Sequence, residues 1–448
     1  SMVNIKAFSF FFLLSGIASA QPSSIDQLIQ KGLESNHSLK QHQIQLDKAN
    51  VALHEARGLF LPSISFQAEY TYAQGGRKLN FPIGDLLNPV YGTLNQLTAS
   101  NAFPQVENVD IQFLPNNFHD TRLRSSLPIV NAEIWYLNKI RKEAIQGQQA
   151  ELIVYKRNVV RDIKSAYANY LKTLRAISIY QSGVDLLEKN LKLTQALVKQ
   201  DMALPAAVFQ VKAELSATQS KLESMNNDSR NAAAYLNFLL NRDLATEIPN
   251  DTLWLKTAGN QPTFNSFATQ REEILQLQSG LKQTESLLNM KKAYYIPTLG
   301  TFFDAGYQGF GYKMNSDQRY YLGGFQLKWN LFSGRQNTWK VKQANSDVLL
   351  LNDRISEAES QLRLQLTTSQ NALASALKQL ESSKEALTFA RESYRLTAIR
   401  YENGQAIPLE LTQALQQLTQ AQLTLAIQQS EVRIRQAELE RAAASFTF

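Results

Sequence analysis

The chain has 448 residues, 19% of them charged, no Cys, and a formal charge of +7 from 46 basic and 39 acidic side chains. The absence of Cys excludes a disulfide framework, thiolate chemistry and a cysteine for lipid attachment behind a leader. The basic excess is small and spread among acids along helical stretches, which excludes a concentrated nucleic-acid surface.

Residues 1–20 read as a secretory signal: Lys6, an apolar run from Phe8 to Leu14, then Ala18-Ser19-Ala20 before Gln21. That run is too short to cross a bilayer as a helix, and no later segment reaches the required length. After a helical stretch, the segment behind Pro62 alternates as a strand does. Ile64, Phe66, Ala68, Tyr70 and Tyr72 share one face, with Ser63, Ser65, Gln67, Glu69 and Thr71 opposite. A long loop from about Gly75 to Asp120, broken by Pro82, Pro89, Pro104 and Pro115, leads to a second strand. There Leu123 and Leu127 oppose Arg122, Arg124 and Ser126.

No Pro occurs between Ile129 and Leu204, so Asn131 to about Lys199 is expected to be one helix, roughly 100 Å long at about 1.5 Å per residue. Its apolar residues recur in steps of three and four (Val159, Ile163, Ala166, Tyr170), as do Val208, Val211, Leu215, Thr218, Leu222 and Met225 further on. This is the heptad seam of a coiled coil.

The chain then repeats itself. Gly58-Leu59-Phe60-Leu61-Pro62-Ser63-Ile64 aligns with Ala293-Tyr294-Tyr295-Ile296-Pro297-Thr298-Leu299 at a shift of about 235, which carries Leu39, Leu46 and Leu53 onto Ile274, Leu281 and Leu288. A third strand follows, with Leu299, Thr301, Phe303, Ala305 and Tyr307 on one face. After a short loop near Gly309 to Arg319, the fourth sets Tyr321, Gly323, Phe325, Leu327 and Trp329 against Leu322, Gly324, Gln326 and Lys328. Another proline-free run carries the stripe Val341, Ala344, Val348, Leu351, Ile355, Ala358, Leu362. Tyr401-Glu402-Asn403-Gly404 reads as its end, with Gly404 supplying the left-handed position, and Pro408 suits the first turn of the next helix, as Pro205 does in the first copy.

The expected organisation is a signal at 1–20 and a first repeat at 21–240, with strands at about 62–73 and 120–130 and a helical tip near 200–206. A connecting segment at 241–268 leads to a second repeat at 269–448, with strands at about 297–308 and 320–332 and a tip near 402–408. Alternation alone also fits a half-buried sheet in a soluble sandwich. The signal and the very long helices favour outer-membrane strands, apolar outside and polar inside. Four strands cannot enclose a pore, since the smallest membrane barrels use about eight, so identical chains must complete the wall.

These residues resemble the TolC-like outer membrane efflux proteins over essentially the whole mature length. The carrying features are the helix leading into Leu61-Pro62-Ser63-Ile64, its echo Ile296-Pro297-Thr298-Leu299, the strand end Asn330-Leu331-Phe332-Ser333-Gly334, and Arg400-Tyr401-Glu402-Asn403-Gly404 followed by Glu410-Leu411-Thr412-Gln413-Ala414. No single motif is specific; their order, spacing and duplication are. The resemblance implies a mainly α protein with a small β part: a trimeric channel-tunnel whose twelve-stranded outer-membrane β-barrel, four strands per chain, continues into a long antiparallel coiled-coil α-helical barrel. It further implies a passive exit duct of a tripartite efflux pump or type I secretion system. Its partners would be a periplasmic adaptor (membrane fusion) protein, an inner-membrane RND, ABC or MFS-type transporter, and outer membrane lipid.

By position, the resemblance makes Tyr401 the gate tyrosine and Glu410 the first ring of gate acids. The family's second acid falls on Gln413, the matching acid of the first hairpin falls on Ala207, and Ala406 stands where well-known members carry a gate arginine. Docking is expected at the tips, Ala203, Leu204, Pro205, Ala206 and Gly404, Gln405, Ala406, Ile407, whose small or apolar side chains let another hairpin approach closely.

No enzyme chemistry is expected. His37, His42, His54 and His119 lack zinc-ligand spacing, no glycine-rich phosphate loop or nucleophile elbow appears, and the acids are scattered, so no cofactor is expected. The rival readings are a secreted coiled-coil scaffold or adhesin without a transport role, and an outer-membrane enzyme. The terminal Phe448 follows a helix and reads as incidental.

Overall fold

The computed structural model describes residues 24–257 and 271–448. The expected signal and residues 258–268 of the expected connecting segment lie outside them. In chain order the elements are α1 (Ser24–Ser35), α2 (His37–Gly58), β1 (Ser63–Thr71), β2 (Lys78–Phe81), α3 (Ile83–Thr98), β3 (Val109–Gln112), β4 (Phe118–Val130), α4 (Ala132–Lys199), α5 (Pro205–Leu239), α6 (Thr252–Lys256), α7 (Glu272–Lys292), a 3-10 turn (Ala293–Tyr295), β5 (Thr298–Phe310), β6 (Arg319–Lys328), α8 (Gln336–Glu402) and α9 (Pro408–Ala443). They fall into two compact units. One comprises the described residues of Ser1–Asp47, Gly147–Gln278 and Asp353–Phe448; the other comprises Lys48–Gln146 and Ser279–Asn352.

The first unit is helical. α4 has 68 residues and α8 has 67, each about 100 Å at about 1.5 Å per residue. The heptad stripes turn inward: Val159, Ile163 and Ala166 on α4, and Val211 and Thr218 on α5, are buried, and Ala344 and Leu362 bracket half-buried stripe positions on α8. Leu373, Ala376 and Leu380 of α8 pack on Val432 and Leu439 of α9, so the two helices of this hairpin pack antiparallel there. A second cluster joins Leu187 of α4, Val211 of α5 and Leu415 of α9. Helix α1 comes so close to α4 that a Cβ at Gly32 would collide with the end of Ile163. Asn36 breaks α1 from α2. Its amide donates to the Leu239 carbonyl at 2.8 Å, and its side-chain oxygen caps α2 by accepting from the Ser38 N–H at 2.9 Å.

A charged belt fixes the start of α7. Arg271, 1% exposed, donates to the Ala442 carbonyl at 2.6 Å and to Glu273 at 2.8 Å, and Arg441 reaches the same carboxylate at 2.8 Å. Burial alone would raise the Glu273 carboxyl, but Arg271 and Arg441 together hold it below its ordinary range.

The second unit is built on a four-stranded antiparallel sheet of order β1-β4-β5-β6. The register sorts its two faces as the alternation predicts. Gln67 lies opposite Arg122, Ser65 opposite Arg124, and Arg124 opposite Asp304, giving one polar face. Phe66 lies opposite Leu123, Leu123 opposite Ala305, and Ala305 opposite Tyr321, giving the other. That second face is apolar and bare: Ile64 is 74% exposed, Phe66 68% and Phe325 76%. Strand β6 stops at Lys328, short of the expected 332, so Trp329 lies just beyond the ladder, its indole N–H donating to the Tyr295 carbonyl at 2.9 Å.

The segment between β1 and β4, expected only as a loop, carries structure of its own. β2 and β3 pair as a ribbon, and α3 is held to the returning chain by two asparagines. The Asn88 side chain both donates to and accepts from Val106, and Asn95 does the same with Phe103. Pro89 sits inside α3, where it removes one helical hydrogen bond. These side-chain amide clamps, not hydrophobic periodicity, define the segment, and prolines obscure it in the sequence.

Candidate functional site: the helical tips

Both hairpins of the helical unit turn with the same backbone device. At the end of α4, the Met202 N–H donates to the Leu197 carbonyl at 2.9 Å and the Asp201 N–H to Val198 at 3.1 Å. At the end of α8, the Gln405 N–H donates to Arg400 at 2.7 Å and the Gly404 N–H to Tyr401 at 3.0 Å. This pair of bonds closes a helix through one left-handed residue, Asp201 at φ 57° in the first tip and Gly404 at φ 68° in the second. Pro205 and Pro408 then open α5 and α9 in their first turns.

Between the tips lies a groove of about 540 Å³ lined by Met202, Ala203, Leu204, Ala206, Ala207, Tyr401, Gly404, Gln405, Ala406, Ile407 and Glu410. Leu204 is 77% exposed and Ile407 56%, so each tip presents an aliphatic side chain to its surroundings. Pro205 and Gln405 are exposed too.

Tyr401 is buried in the middle of this region, and its hydroxyl lies 2.8 Å from the Thr194 hydroxyl on α4. Thr194 donates to the Asn190 side chain at 3.2 Å, Asn190 donates to Thr412 on α9 at 3.4 Å, and Thr412 donates to the Pro408 carbonyl at 3.0 Å. With Thr194 donating onward, the phenol is the donor to Thr194. One hydrogen-bonded line therefore ties α8, α4 and α9 through four buried side chains. Burial pushes the Tyr401 phenol above its ordinary range. The group stays neutral at physiological pH.

Glu410 occupies the first turn of α9, where a carboxylate complements the helix N-terminus. Its oxygen lies 3.7 Å from Arg400, and both side chains are substantially exposed, so this pair contributes little to stability. Arg400 also donates to the Gln405 carbonyl at 3.1 Å, bracing the turn. Gln413 stands exposed one turn further along α9. The geometry thus gathers Tyr401, Glu410 and the tip residues around one groove, and it adds Thr194, Asn190, Thr412 and Arg400. The three polar residues are hidden in the sequence because they occupy seam positions that a heptad pattern expects to be small or apolar.

Residues 265–445 match the family described as outer membrane efflux protein. Outer membrane protein TolC of Escherichia coli (strain K12) is 20% identical over 446 residues, covering 96% of this chain and 84% of that protein. Among solved structures, the outer-membrane channel OprN superposes with a TM-score of 0.74 at 14% identity, covering 94% of this chain and 90% of that one. The outer membrane protein VceC from Vibrio cholerae gives 0.73 at 14% identity, covering 94% and 95%. A family match over residues 265–445, a relative along nearly the whole chain and a shared fold converge on one likeness: the chain is similar to the TolC-like outer membrane efflux proteins.

Proposed function

We propose that three copies of this chain close their sheets into one twelve-stranded barrel and that the assembly is the passive exit duct of a tripartite efflux pump or type I secretion system. The observation that carries this reading is the sheet itself. It has four strands, an edge at β1 and another at β6, one bare apolar face and one polar face. A sheet so short cannot close alone, and an apolar face of this extent needs lipid or protein against it. Pairing β6 of one copy with β1 of the next removes both edges and leaves the apolar face toward lipid. The exposed aliphatic and aromatic residues of α8, among them Leu364 and Phe389, support the same assembly in the helical unit.

In this reading the tips dock a periplasmic adaptor through Leu204, Ala206 and Ile407, and the adaptor joins the duct to an RND, ABC or MFS-type inner-membrane transporter. The line Tyr401–Thr194–Asn190–Thr412 locks the neighbouring hairpins, and Glu410 with Arg400 lines the entrance. Opening then requires the two hairpins to part, which breaks the Tyr401–Thr194 bond. A ring of Glu410 carboxylates would draw cations to the entrance.

Purification decides the matter. The mature protein is expected to require detergent, to migrate as a heat-sensitive trimer and to form water-filled pores in planar bilayers. A monodisperse, detergent-free monomer would overturn the reading. Within a functional trimer, Tyr401→Phe removes one hydroxyl from the lock and is expected to raise the open fraction of single channels, with pore size unchanged. An unchanged open fraction removes Tyr401 from the gate. Ala206→Trp and Ile407→Asp are expected to abolish efflux while sparing the trimer.

A further inference from the structure

The polar face of the sheet holds charge in an asymmetric way. Arg124 of β4 grips Asp304 of β5 in a two-pronged bond, Nε to one oxygen at 2.8 Å and Nη2 to the other at 2.7 Å. The Asp304 side chain is 0% exposed, whereas Arg124 keeps 35%. The Arg124 guanidinium also stands 5.5 Å from the centre of the Phe302 ring. One rung along β4, Arg122 donates to Asp120 at 2.6 Å and to Gln67 at 3.2 Å, while the Tyr320 hydroxyl donates to the same Asp120 at 2.9 Å. There too the cation is the more exposed partner, 24% against 13%. Further toward the β1–β4 connection, Glu69 lies opposite Asp120 and is exposed.

Each pair is neutral in sum, but its two ends are not equivalent to a solute. The carboxylates sit behind, held by bidentate and multiple hydrogen bonds, and the guanidinium groups stand in front. Charges in an aqueous passage are screened within about 8 Å, so the nearest charge governs a passing ion. We propose that Arg122 and Arg124 form two successive rings of guanidinium groups on the lumen wall of the barrel and bias the duct toward anionic solutes, with Asp120 and Asp304 acting as their holders. This rests on the barrel reading above, which puts the polar face inside and repeats each residue three times.

The decisive variant keeps net charge constant. In Arg124→Gln/Asp304→Asn an amide pair replaces the ion pair, so nothing charged is left unpartnered in the wall. The purified trimer is placed in planar bilayers under a potassium chloride gradient, and the chloride-to-potassium permeability ratio is read from the reversal potential. The ratio is expected to fall about twofold, because lumen side chains tune selectivity in barrels of this kind. Arg122→Gln/Asp120→Asn is a second charge-neutral variant, on a different ion pair, and is expected to shift the ratio in the same direction. Channels of normal conductance with an unchanged ratio in both variants would overturn the proposal, since a structural or cancelling pair predicts no shift. If the unaltered protein forms neither a trimer nor a pore, the barrel reading fails instead, and the two failures are told apart at the first measurement.

Discussion

Helices α4 and α8 are nearly the same length and occupy the same place in the two repeats, yet they end in opposite circumstances. In α4, Ile163, Tyr167, Ala168 and Leu171 are fully buried, whereas α8 leaves Leu349, Leu364 and Phe389 exposed. The cause is the number of neighbours. α4 receives α1 at Gly32 and α9 through the Lys164–Glu440 pair at 2.6 Å. The Tyr167 hydroxyl donates to the Pro249 carbonyl at 2.9 Å, and its ring lies against Trp254 of α6. Within the chain, α8 has its principal partner in α9. One heptad pattern therefore has two outcomes: in the first repeat the chain itself buries it, and in the second it leaves apolar side chains exposed, which the proposed trimer would cover.

The largest effect should separate the two helices outright. Ile163→Ala opens a cavity where α1 and α4 meet, and is expected to cost roughly 2–5 kcal/mol in urea unfolding. Phe389→Ser removes an exposed ring and is expected to change unfolding of the chain by less than about 0.5 kcal/mol, while the trimer loses heat resistance on gels. If Phe389→Ser instead unfolds the chain as severely as Ile163→Ala, α8 is finished within one copy and the contrast collapses.

Alkaline titration sharpens the same comparison. Burial pushes the Tyr167 phenol up to about 12, with the hydrogen bond from the Asp251 N–H opposing it. A folded-state value above the unfolded one means that Tyr167 contributes stability in full below about pH 10. That contribution is lost as pH rises from 10 through about 12. Denaturant midpoints are expected to fall across this window in the parent chain and to fall less in Tyr167→Phe, which has no phenol to ionise. Equal slopes would mean that α4 is wetter around Tyr167 than its burial indicates.

Much of this organisation is legible in the sequence because it depends on periodicity and on prolines. The alternation around Ile64 and Phe325 forecasts which sheet face is apolar, and the three-four spacing forecasts the buried seams. What escapes has other physical origins. Helix α3 hides because Asn88 and Asn95 clamp it by side-chain amides, and Pro82 and Pro89 argue for a loop. Arg400 escapes because the resemblance looks for an arginine at Ala406, whereas the turn brings one in from the end of α8. Phe448, expected to be incidental, lies against Arg157 at 5.3 Å and Lys156 at 5.7 Å, a contact that no spacing rule connects across the chain. In the buried hydrogen-bonded line, only Tyr401 is suggested by resemblance, and its partners become visible only once α4, α8 and α9 lie side by side.

The smallest effect tests whether the two tips are equivalent hinges. They share the same turn, but Asp201 holds the left-handed position in one and Gly404 in the other. An L side chain there costs on the order of 1 kcal/mol, less for Asp, whose short polar group tolerates the conformation. Gly404→Ala is therefore expected to destabilise the second tip by about 1 kcal/mol. Asp201→Gly should change the first by only a few tenths, because relief of strain is offset by the greater freedom of glycine in the unfolded chain. Amide hydrogen exchange at Met202 and Gln405, the residues whose N–H groups close the two turns, reads each tip separately. Faster exchange at Gln405 in Gly404→Ala, with Met202 unaffected, is the result expected of independent hinges. If Met202 accelerates as well, the tips open together, and the buried line from Tyr401 to Thr194 is the connection that couples them.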